Sequence, residues 1–422
     1  MTRHLALAAP APAVTLPDGR RLPFANLDYA ATAPAARAAA GAVQDLLPWY
    51  GSVHRGAGPL SRRTTLAYER ARQTIADFLG CRPGDEVVFT RNTTDAMNLL
   101  AHALPPGTLA VTFLGEHHAG LLPWPEAHRL PLPTSPAAAV DALAEALREI
   151  RRRDPDRPVL LAVTAASNVT GELWPVADLV AVAHRHGARV AVDAAQLAPH
   201  RPVDLATWGA DYVAVSGHKL YAPFGTGVLA GRADWLDQAP PYLAGGGATR
   251  VVDAAATTVD WADGPARHEA GTPNVLGVVA LAAVCAELAG ADRAGLQRDE
   301  EALAGRLEDG LAAIPGVAVL RCFPAGHPRV GIVSFAVAGH DSAELAAWLG
   351  TERGIGVRDG LFCAHPLARH LLGEARRRTG RDLPPTALRA SIGLGTTAAD
   401  VDRLIAAVAE AVGALVDAGP SR

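Results

Sequence analysis

The sequence has almost no lysine. Among its 39 Lys and Arg residues only Lys219 is a lysine, so nearly every basic side chain is a guanidinium. A guanidinium stays protonated and carries charge, but it cannot act as an amine nucleophile. Covalent chemistry between a side-chain amine and a carbonyl compound needs an amine that can lose its proton. If this protein carries out such chemistry, Lys219 must supply the amine.

Several other features are scarce as well. The four cysteines form no CxxC pair and no two histidines have metal-ligand spacing, so we expect free thiols in a reducing cytoplasm and no metal site. No apolar run approaches the roughly 20 residues of a membrane-spanning helix, and the proline-interrupted N-terminus makes a poor signal peptide. The net charge of -4, without a sustained basic stripe, argues against nucleic-acid binding. We therefore expect a soluble, cytoplasmic protein.

The chain is long enough for more than one core. At 422 residues it exceeds the usual size of a single domain, which favours two domains. Strand and helix patterns alternate along its first part, which predicts an α/β fold with a mostly parallel central sheet and helices on both faces. We expect an N-terminal arm (1–25), a large domain (26–285) and a smaller C-terminal α+β domain (286–422).

Polar side chains follow two of the predicted strands. The predicted strand 189–192 leads directly to Asp193, and the predicted strand 212–215 leads directly to residues 216–219, which end in Lys219. In such sheets ligands bind beyond the carboxyl ends of the strands, so these side chains should share one site. Lys219 can bond to a cofactor aldehyde, and Asp193 can pair with a protonated pyridine nitrogen. Taken alone, an Asp at a strand end can equally be a helix cap.

Further polar groups are suited to a phosphorylated aromatic cofactor. Ser216 and His218 can donate hydrogen bonds to a phosphate, and Gln196 can reach a phenolic oxygen. The hydroxyls of residues 93 and 94 precede an apolar helical pattern (96–104), and helix N-termini favour anions, although this pattern is also that of an ordinary N-cap. His117, after the apolar segment 109–114, can stack on a ring or be purely structural.

Several sequence segments resemble those of one enzyme family. They are NLDYAATAP, VHRGAGPLS, RNTTDAMN, EHHAGLLPW, SNVTGE, VDAAQ, SGHKLYAPFGTGVL, GGG, EAGTPN, RDGLFCAHPL and RASIGLGTT. With these segments the chain resembles the class V aminotransferase-fold enzymes, in the cysteine desulfurase and selenocysteine lyase branch, from about Asn26 to the C-terminal helix. The resemblance implies the aspartate aminotransferase-like fold of pyridoxal-5'-phosphate (PLP) enzymes, a homodimer and PLP as cofactor.

The resemblance also implies a role for each candidate residue. Lys219 would hold PLP as a Schiff base and act in catalysis, Asp193 would pair with the pyridinium, Gln196 would contact the phenolic oxygen, and His117 would stack on the ring. The phosphate would be held by Thr93, Thr94, Ser216, His218 and, from a second subunit, Thr272. The substrate would be bound by Asn168, Arg358 and Arg389. Of these, the guanidinium of Arg389 would grip the substrate carboxylate through a bidentate fork.

Cys363 decides the reaction type implied by the resemblance. Its segment matches the motif that holds the catalytic cysteine, whereas Cys81, Cys285 and Cys322 are expected to be structural thiols. The implied reaction converts L-cysteine to L-alanine, leaves the sulfur on Cys363 as a persulfide and passes it to an acceptor protein.

Two departures leave alternatives open at this stage. Familiar members carry histidines just before the cysteine where this chain has Leu361 and Phe362, and the stretch from Cys363 to Arg389 is longer than theirs. A selenocysteine lyase, a C–S lyase or an enzyme for a larger cysteine conjugate would use the same fold. A protein that keeps PLP without catalysis is a further alternative.

Overall fold

The computed structural model describes residues 5–418. The first four residues of the predicted arm and the last four of the predicted small domain lie outside this range. The strands are β1 (Ala13–Thr15), β2 (Arg21–Pro23), β3 (Ala25–Asn26), β4 (Asp85–Thr90), β5 (Leu109–Phe113), β6 (Ala127–Leu130), β7 (Val159–Thr164), β8 (Arg189–Asp193), β9 (Tyr212–Ser216), β10 (Gly227–Arg232), β11 (Thr249–Val252), β12 (Val259–Trp261), β13 (Val317–Val319), β14 (Ile332–Val337), β15 (Ile355–Gly356), β16 (Arg358–Gly360) and β17 (Ala387–Ser391).

Helices connect and cover these strands. They are α1 (Arg37–Leu46), α2 (Pro59–Phe78), α3 (Thr93–Ala103), α4 (His118–Leu121), α5 (Pro136–Arg153), α6 (Val176–Arg185), α7 (Leu205–Trp208), α8 (Ala233–Gln238), α9 (Val275–Ala289), α10 (Arg293–Ala312), α11 (Ser342–Arg353), α12 (His365–Thr379) and α13 (Ala398–Ala418), with 3-10 turns at Leu47–Trp49 and Gly264–Arg267. Among residues 5–418 no single helix is long and apolar enough to cross a membrane; α9 and α10 pass that test only as a pair, bent by 91°.

A seven-stranded sheet forms the centre of the larger part of the molecule. Its order is β4-β10-β9-β8-β7-β5-β6, and β10 alone runs antiparallel to its neighbours. Every residue of β7 is buried, and its alternate side chains belong to different apolar clusters: Leu161 to one, Leu160 and Ala162 to the other. Both faces of the sheet are therefore covered, which explains the continuous apolar runs of its strands. The predicted mostly parallel α/β sheet is confirmed.

A second, antiparallel sheet lies in the C-terminal part of the chain. Its four strands have the order β13-β14-β17-β16. It has its own core, in which Leu307 of α10 and Leu404 of α13 cluster with Val333 and Leu388 of the strands. The α+β character expected for this part is present. The residue at which one domain gives way to the next stays a prediction.

The fold brings the ends of distant strands to one place. β8 ends at Asp193, β9 ends at Ser216, and the antiparallel pair β16 and β17 carries Arg358 opposite Arg389. The turn after β9 requires glycine, since a Cβ on Gly217 would lie 2.6 Å from a backbone oxygen across the turn. This tight turn positions Lys219 beyond the carboxyl edge of the central sheet.

Candidate active site

Lys219 is half-buried, and groups of both charge signs lie close to it. Burial lowers the pKa of its ammonium to about 8, and the positive charge of Arg389 acts in the same direction. The negative charge of Asp193 acts on the lysine in the opposite direction, and Cys363 lies close enough to be coupled to it electrostatically. Residues that are far apart in sequence are thus brought together, and Lys219 supplies an amine that loses its proton much more readily than an exposed lysine.

Asp193 is a buried acid at the end of β8. It is only 5% exposed, and its Oδ1 accepts a hydrogen bond of 2.9 Å from the backbone N–H of Ala195. Burial raises the pKa of this carboxyl, whereas the Ala195 hydrogen bond and the charge of Lys219 lower it. A buried carboxylate is stabilised by a cationic partner, and a protonated pyridine nitrogen would be such a partner.

Hydrogen bonds to the backbone fix the orientations of His117 and Gln196. The backbone N–H of Ala119 donates to Nδ1 of His117 at 3.0 Å, so a neutral ring carries its proton on Nε2. Burial first, and then Lys219, lowers the pKa of His117 to about 3, so the imidazole is neutral and suited to stacking on an aromatic ring. Gln196 is buried and donates from Nε2 to the backbone oxygen of Ala30 at 2.9 Å.

The predicted phosphate residues divide into three groups. Ser216 Oγ lies 2.9 Å from both the backbone N and the Oγ of Thr93, and this buried pair ties the sheet to α3. Thr94 is exposed, and burial followed by the charge of Lys219 lowers the pKa of half-buried His218 to about 4. Thr272 is exposed in a groove of about 590 Å³ that also contains His54 and Arg55, and no hydrogen bond within residues 5–418 joins it to Lys219.

Helix α3 begins earlier than the apolar pattern from residue 96, and neither threonine is its N-cap. The N-cap of α3 is Asn92, whose side-chain oxygen accepts a hydrogen bond of 3.0 Å from the backbone N–H of Asp95. Thr93 and Thr94 therefore lie within the first turn, where backbone N–H groups lack intrahelical acceptors. Their position still suits an anion, because the dipole of α3 is positive at this end.

Cys363 sits at the tip of a strained loop between β16 and α12. It is the exposed member of the four cysteines. Phe362 and Cys363 both have left-handed backbones, with φ of 53° and 52°. Two hydrogen bonds from the large sheet's loops hold this conformation: Asn168 Nδ2 donates to the Phe362 oxygen at 2.6 Å, and the His118 backbone N–H donates to the Cys363 oxygen at 2.8 Å. Such conformations persist only where surrounding contacts impose them, and they cluster at functional sites.

The other three cysteines have the properties of structural thiols. Burial raises the pKa of Cys81 and of Cys322 to about 12, and it raises the pKa of Cys285 further. At neutral pH these three thiols are protonated, and the thiol is a much weaker nucleophile than the thiolate.

Arg389 is a buried guanidinium with several partners. It is 3% exposed, donates from Nη1 to the backbone oxygen of Asn168 at 2.9 Å, and faces the ring of Phe362 at 5.1 Å. Its Nη2 lies 3.2 Å from Oδ1 of Asp28. Arg358 is more exposed and approaches the other oxygen of Asp28 at 3.9 Å. The structure therefore joins all three predicted substrate residues, Asn168, Arg358 and Arg389, in one cluster.

Sequence reasoning missed two acids in this region. Asp28 accepts from Arg389, and Glu116 is fully buried beside His117, where its Oε1 accepts from the Thr164 backbone N–H at 3.1 Å. Burial raises the pKa of Glu116 well above its usual value. Both acids lie inside segments that carried the family resemblance, NLDYAATAP and EHHAGLLPW, and this was the signal available for finding them.

Comparisons with known proteins agree with this geometry. The profile of the family Aminotransferase class-V matches residues 25–404. The cysteine desulfurase of Pectobacterium atrosepticum is 36% identical over 365 residues, which are 85% of each chain. The chain belongs to the class-V aminotransferase family, among the cysteine desulfurases.

Solved structures of the family extend this result. The cysteine desulfurase CsdA from Escherichia coli superposes with a TM-score of 0.78 at 34% identity, covering 93% of this chain and 95% of CsdA. The apo cysteine desulfurase from Thermococcus onnurineus superposes with a TM-score of 0.80 at 30% identity, over the same shares. The expected family and fold are confirmed.

Class-V aminotransferases are PLP enzymes, and the residues around Lys219 fit that cofactor. Lys219 offers an amine of lowered pKa, and Asp193 offers a buried carboxylate whose charge needs a cationic partner. His117 presents a neutral ring, and the N-terminus of α3 offers N–H groups for a phosphate. These groups match the aldehyde, the ring nitrogen, the aromatic face and the phosphate of PLP.

Proposed function

We propose that this protein is a PLP-dependent cysteine desulfurase that converts L-cysteine to L-alanine and takes the sulfur onto Cys363. The observation that carries the proposal is the Cys363 loop. This loop presents an exposed thiol on a left-handed backbone that hydrogen bonds from Asn168 and His118 hold in place. The thiol lies close enough to Lys219 and Arg389 to interact with both electrostatically. A C–S lyase that works by elimination does not require such a thiol.

Each residue of the site has a distinct task in this reaction. Bound PLP supplies an electron sink for the bonds at the substrate Cα. Asp193 keeps the pyridine nitrogen protonated, His117 stacks on the ring, and Gln196 contacts the phenolic oxygen. Lys219 carries the cofactor between turnovers and, as a free amine whose pKa burial lowers, removes the Cα proton of L-cysteine.

Sulfur transfer depends on the second group of residues. Arg389 holds the substrate carboxylate, which fixes the side chain of L-cysteine relative to Cys363. The Cys363 thiolate attacks the substrate sulfur, so an S–S bond forms while the Cβ–S bond breaks. The electron pair of the broken bond stays with the carbon skeleton, which takes up protons and leaves as L-alanine. An acceptor thiol, which we propose to belong to a protein, then removes the sulfur from Cys363.

We further propose that the active enzyme is a homodimer with Thr272 reaching the phosphate site of the partner subunit. The support is its position: Thr272 is exposed in a groove with Arg55 and Arg72, apart from the residues around its own Lys219. A two-fold dimer makes both sites equivalent, and it is the commonest form of oligomer.

Cys363→Ala tests the proposed reaction. The variant should bind PLP and L-cysteine like the wild type, because Lys219, Asp193 and Arg389 are unchanged, but it should release almost no alanine. Cys322→Ala makes the same substitution at a thiol whose Sγ donates to the Pro133 backbone oxygen, and it is the matched control. Alanine and sulfide are measured after incubation with L-cysteine and a reductant, and mass spectrometry after a separate short incubation with L-cysteine without reductant locates the added sulfur.

The outcomes separate the alternatives. One extra sulfur on the Cys363 peptide and no other cysteine peptide supports the proposal. Alanine formation by Cys363→Ala at the wild-type rate refutes it. Pyruvate and ammonia in place of alanine identify a C–S lyase, and conversion of L-selenocysteine but not L-cysteine identifies a selenocysteine lyase. A wild type that binds PLP but converts neither amino acid points to an enzyme for a larger cysteine conjugate or to a non-catalytic protein.

A further inference from the structure

The carboxylate of Asp28 lies between two arginines of the candidate substrate site. Its Oδ1 is 3.2 Å from Nη2 of Arg389, and its Oδ2 is 3.9 Å from Nη1 of Arg358. The two arginines are cross-strand partners in the β16–β17 pair, so the sheet fixes their separation. Asp28 itself follows β3 and is joined to Ser391 of β17 by a backbone bridge. The three side chains therefore form one connected cluster.

The charges of this cluster do not balance. Two guanidinium groups contact the one carboxylate of Asp28, and the other acid that acts on Asp28, Asp359, is exposed and forms no ion pair with either arginine among the described residues, so a further carboxylate at Arg389 is electrostatically favoured. Arg389 is the more costly of the two charges to leave uncompensated, because its side chain is 4% exposed whereas that of Arg358 is 56% exposed. In the absence of substrate, Asp28 provides the compensation for Arg389.

Asp28 also occupies part of the fork that a substrate would use. A carboxylate binds a guanidinium best through two parallel N–H groups. On Arg389, one N–H of Nη1 donates to the Asn168 backbone oxygen and one N–H of Nη2 to Asp28, while Nε is buried without a hydrogen-bond partner among the described residues. Either bidentate geometry, through Nη1 and Nη2 or through Nε and Nη2, uses Nη2, so a substrate carboxylate and the Asp28 carboxylate would lie against the same nitrogen and repel each other.

We propose that Asp28 is an exchangeable carboxylate that covers Arg389 without substrate and shifts to Arg358 when a substrate carboxylate binds. The inference rests on the proposed function only in assigning the substrate carboxylate to Arg389. Asp28 is then a positioning residue that competes with the substrate carboxylate for Arg389, and Arg358 is the alternative partner of the Asp28 carboxylate when substrate is bound. This exchange selects amino acids that present one free carboxylate to Arg389, and it limits how tightly the alanine product is bound.

Binding of L-alanine, which carries the carboxylate but no sulfur, tests the exchange. Calorimetric Kd values are measured on the PLP-loaded protein, together with KM and kcat for L-cysteine. Asp28→Asn removes the competitor and should lower both the L-alanine Kd and KM by about tenfold, which corresponds to about 1.4 kcal/mol. Arg358→Gln removes this alternative partner and should raise both values, and Arg358→Lys should restore part of the loss because it keeps the charge.

The double variant gives the decisive comparison. In an Asp28→Asn background Arg358→Gln should have almost no effect on the L-alanine Kd, because no carboxylate remains to be relocated. Asp359→Asn is the matched control: it removes an exposed carboxylate next to Arg358 that has no hydrogen bond to Arg389 within the described chain, and its Kd should stay close to wild type.

Two results would overturn the inference. One is weaker L-alanine binding in Asp28→Asn, and the other is an equal effect of Arg358→Gln in both backgrounds. If Asp28→Asn does not fold, Asp28→Glu takes its place in the double variant, and unchanged L-alanine binding in Arg358→Gln still contradicts the exchange. A wild-type protein that binds L-alanine but forms none from L-cysteine refutes the desulfurase activity and leaves the Asp28 inference standing.

Discussion

Asn168→Ala should release the Cys363 loop without disturbing the cofactor site. Left-handed backbones cost L-residues roughly 1–2 kcal/mol each, so the pair Phe362 and Cys363 stores roughly 2–4 kcal/mol. The substitution deletes the 2.6 Å hydrogen bond from Nδ2 to the Phe362 oxygen and leaves the backbone oxygen that Arg389 uses. Leaving a buried acceptor unsatisfied costs about 1–3 kcal/mol, which is close to the strain that the loop contacts must oppose.

The expected consequence is a fall in kcat of about 5–150-fold, with KM for L-cysteine nearly unchanged. The assay measures alanine formation under reducing conditions, and the absorbance of bound PLP checks that the cofactor site is intact. A second readout needs no substrate: iodoacetamide should alkylate Cys363 faster in the variant, because the loop leaves its clamped position more often.

Asn98→Ala is the matched control for this experiment. Asn98 is exposed on α3 and donates from Nδ2 to the Thr94 backbone oxygen at 2.8 Å, so the same group is removed away from the loop. It should behave like the wild type in both assays. A raised KM with unchanged kcat and alkylation rate would show that Asn168 acts by touching the substrate, and the clamp argument would be wrong.

Three further results are expected. Borohydride should fix PLP to the Lys219 peptide, and Lys219→Arg should take up no fixable cofactor despite keeping its charge, whereas a colourless wild type would contradict PLP binding. PLP uptake by the cofactor-free protein should become faster as the pH rises through about 8 and should then level off, because only the neutral amine reacts and burial lowers the pKa of Lys219 to about 8. A rate that increases only near the pKa of an exposed lysine would contradict this. Thr272→Ala should weaken PLP binding by about 1.5–3 kcal/mol, and light scattering that shows a monomer binding PLP tightly would refute the shared site.

The sequence alone determined the central sheet and one side of the active site. Continuous apolar runs predicted the buried strands, and Asp193 and Lys219 follow two of them directly. The carboxyl ends of parallel strands meet at one edge of the sheet regardless of side-chain detail, so the local sequence pattern was sufficient to place Asp193 and Lys219 at the same edge. The single lysine left no second candidate for the amine. The sequence left the N-cap of α3 open, because Asn92 and the two threonines are all good capping residues and only backbone geometry separates them.

Only the tertiary structure decided the other side of the site. Asp28 and Arg389 are 361 positions apart, and no local periodicity indicates that a bridge between the start of the chain and β17 brings them together. The left-handed backbone at Cys363 is equally invisible in sequence, since neither Phe362 nor Cys363 favours it. It exists because Asn168 and His118, on other elements, hold the loop. Contacts between distant segments depend on how the two sheets pack, and that packing is a property of the whole chain.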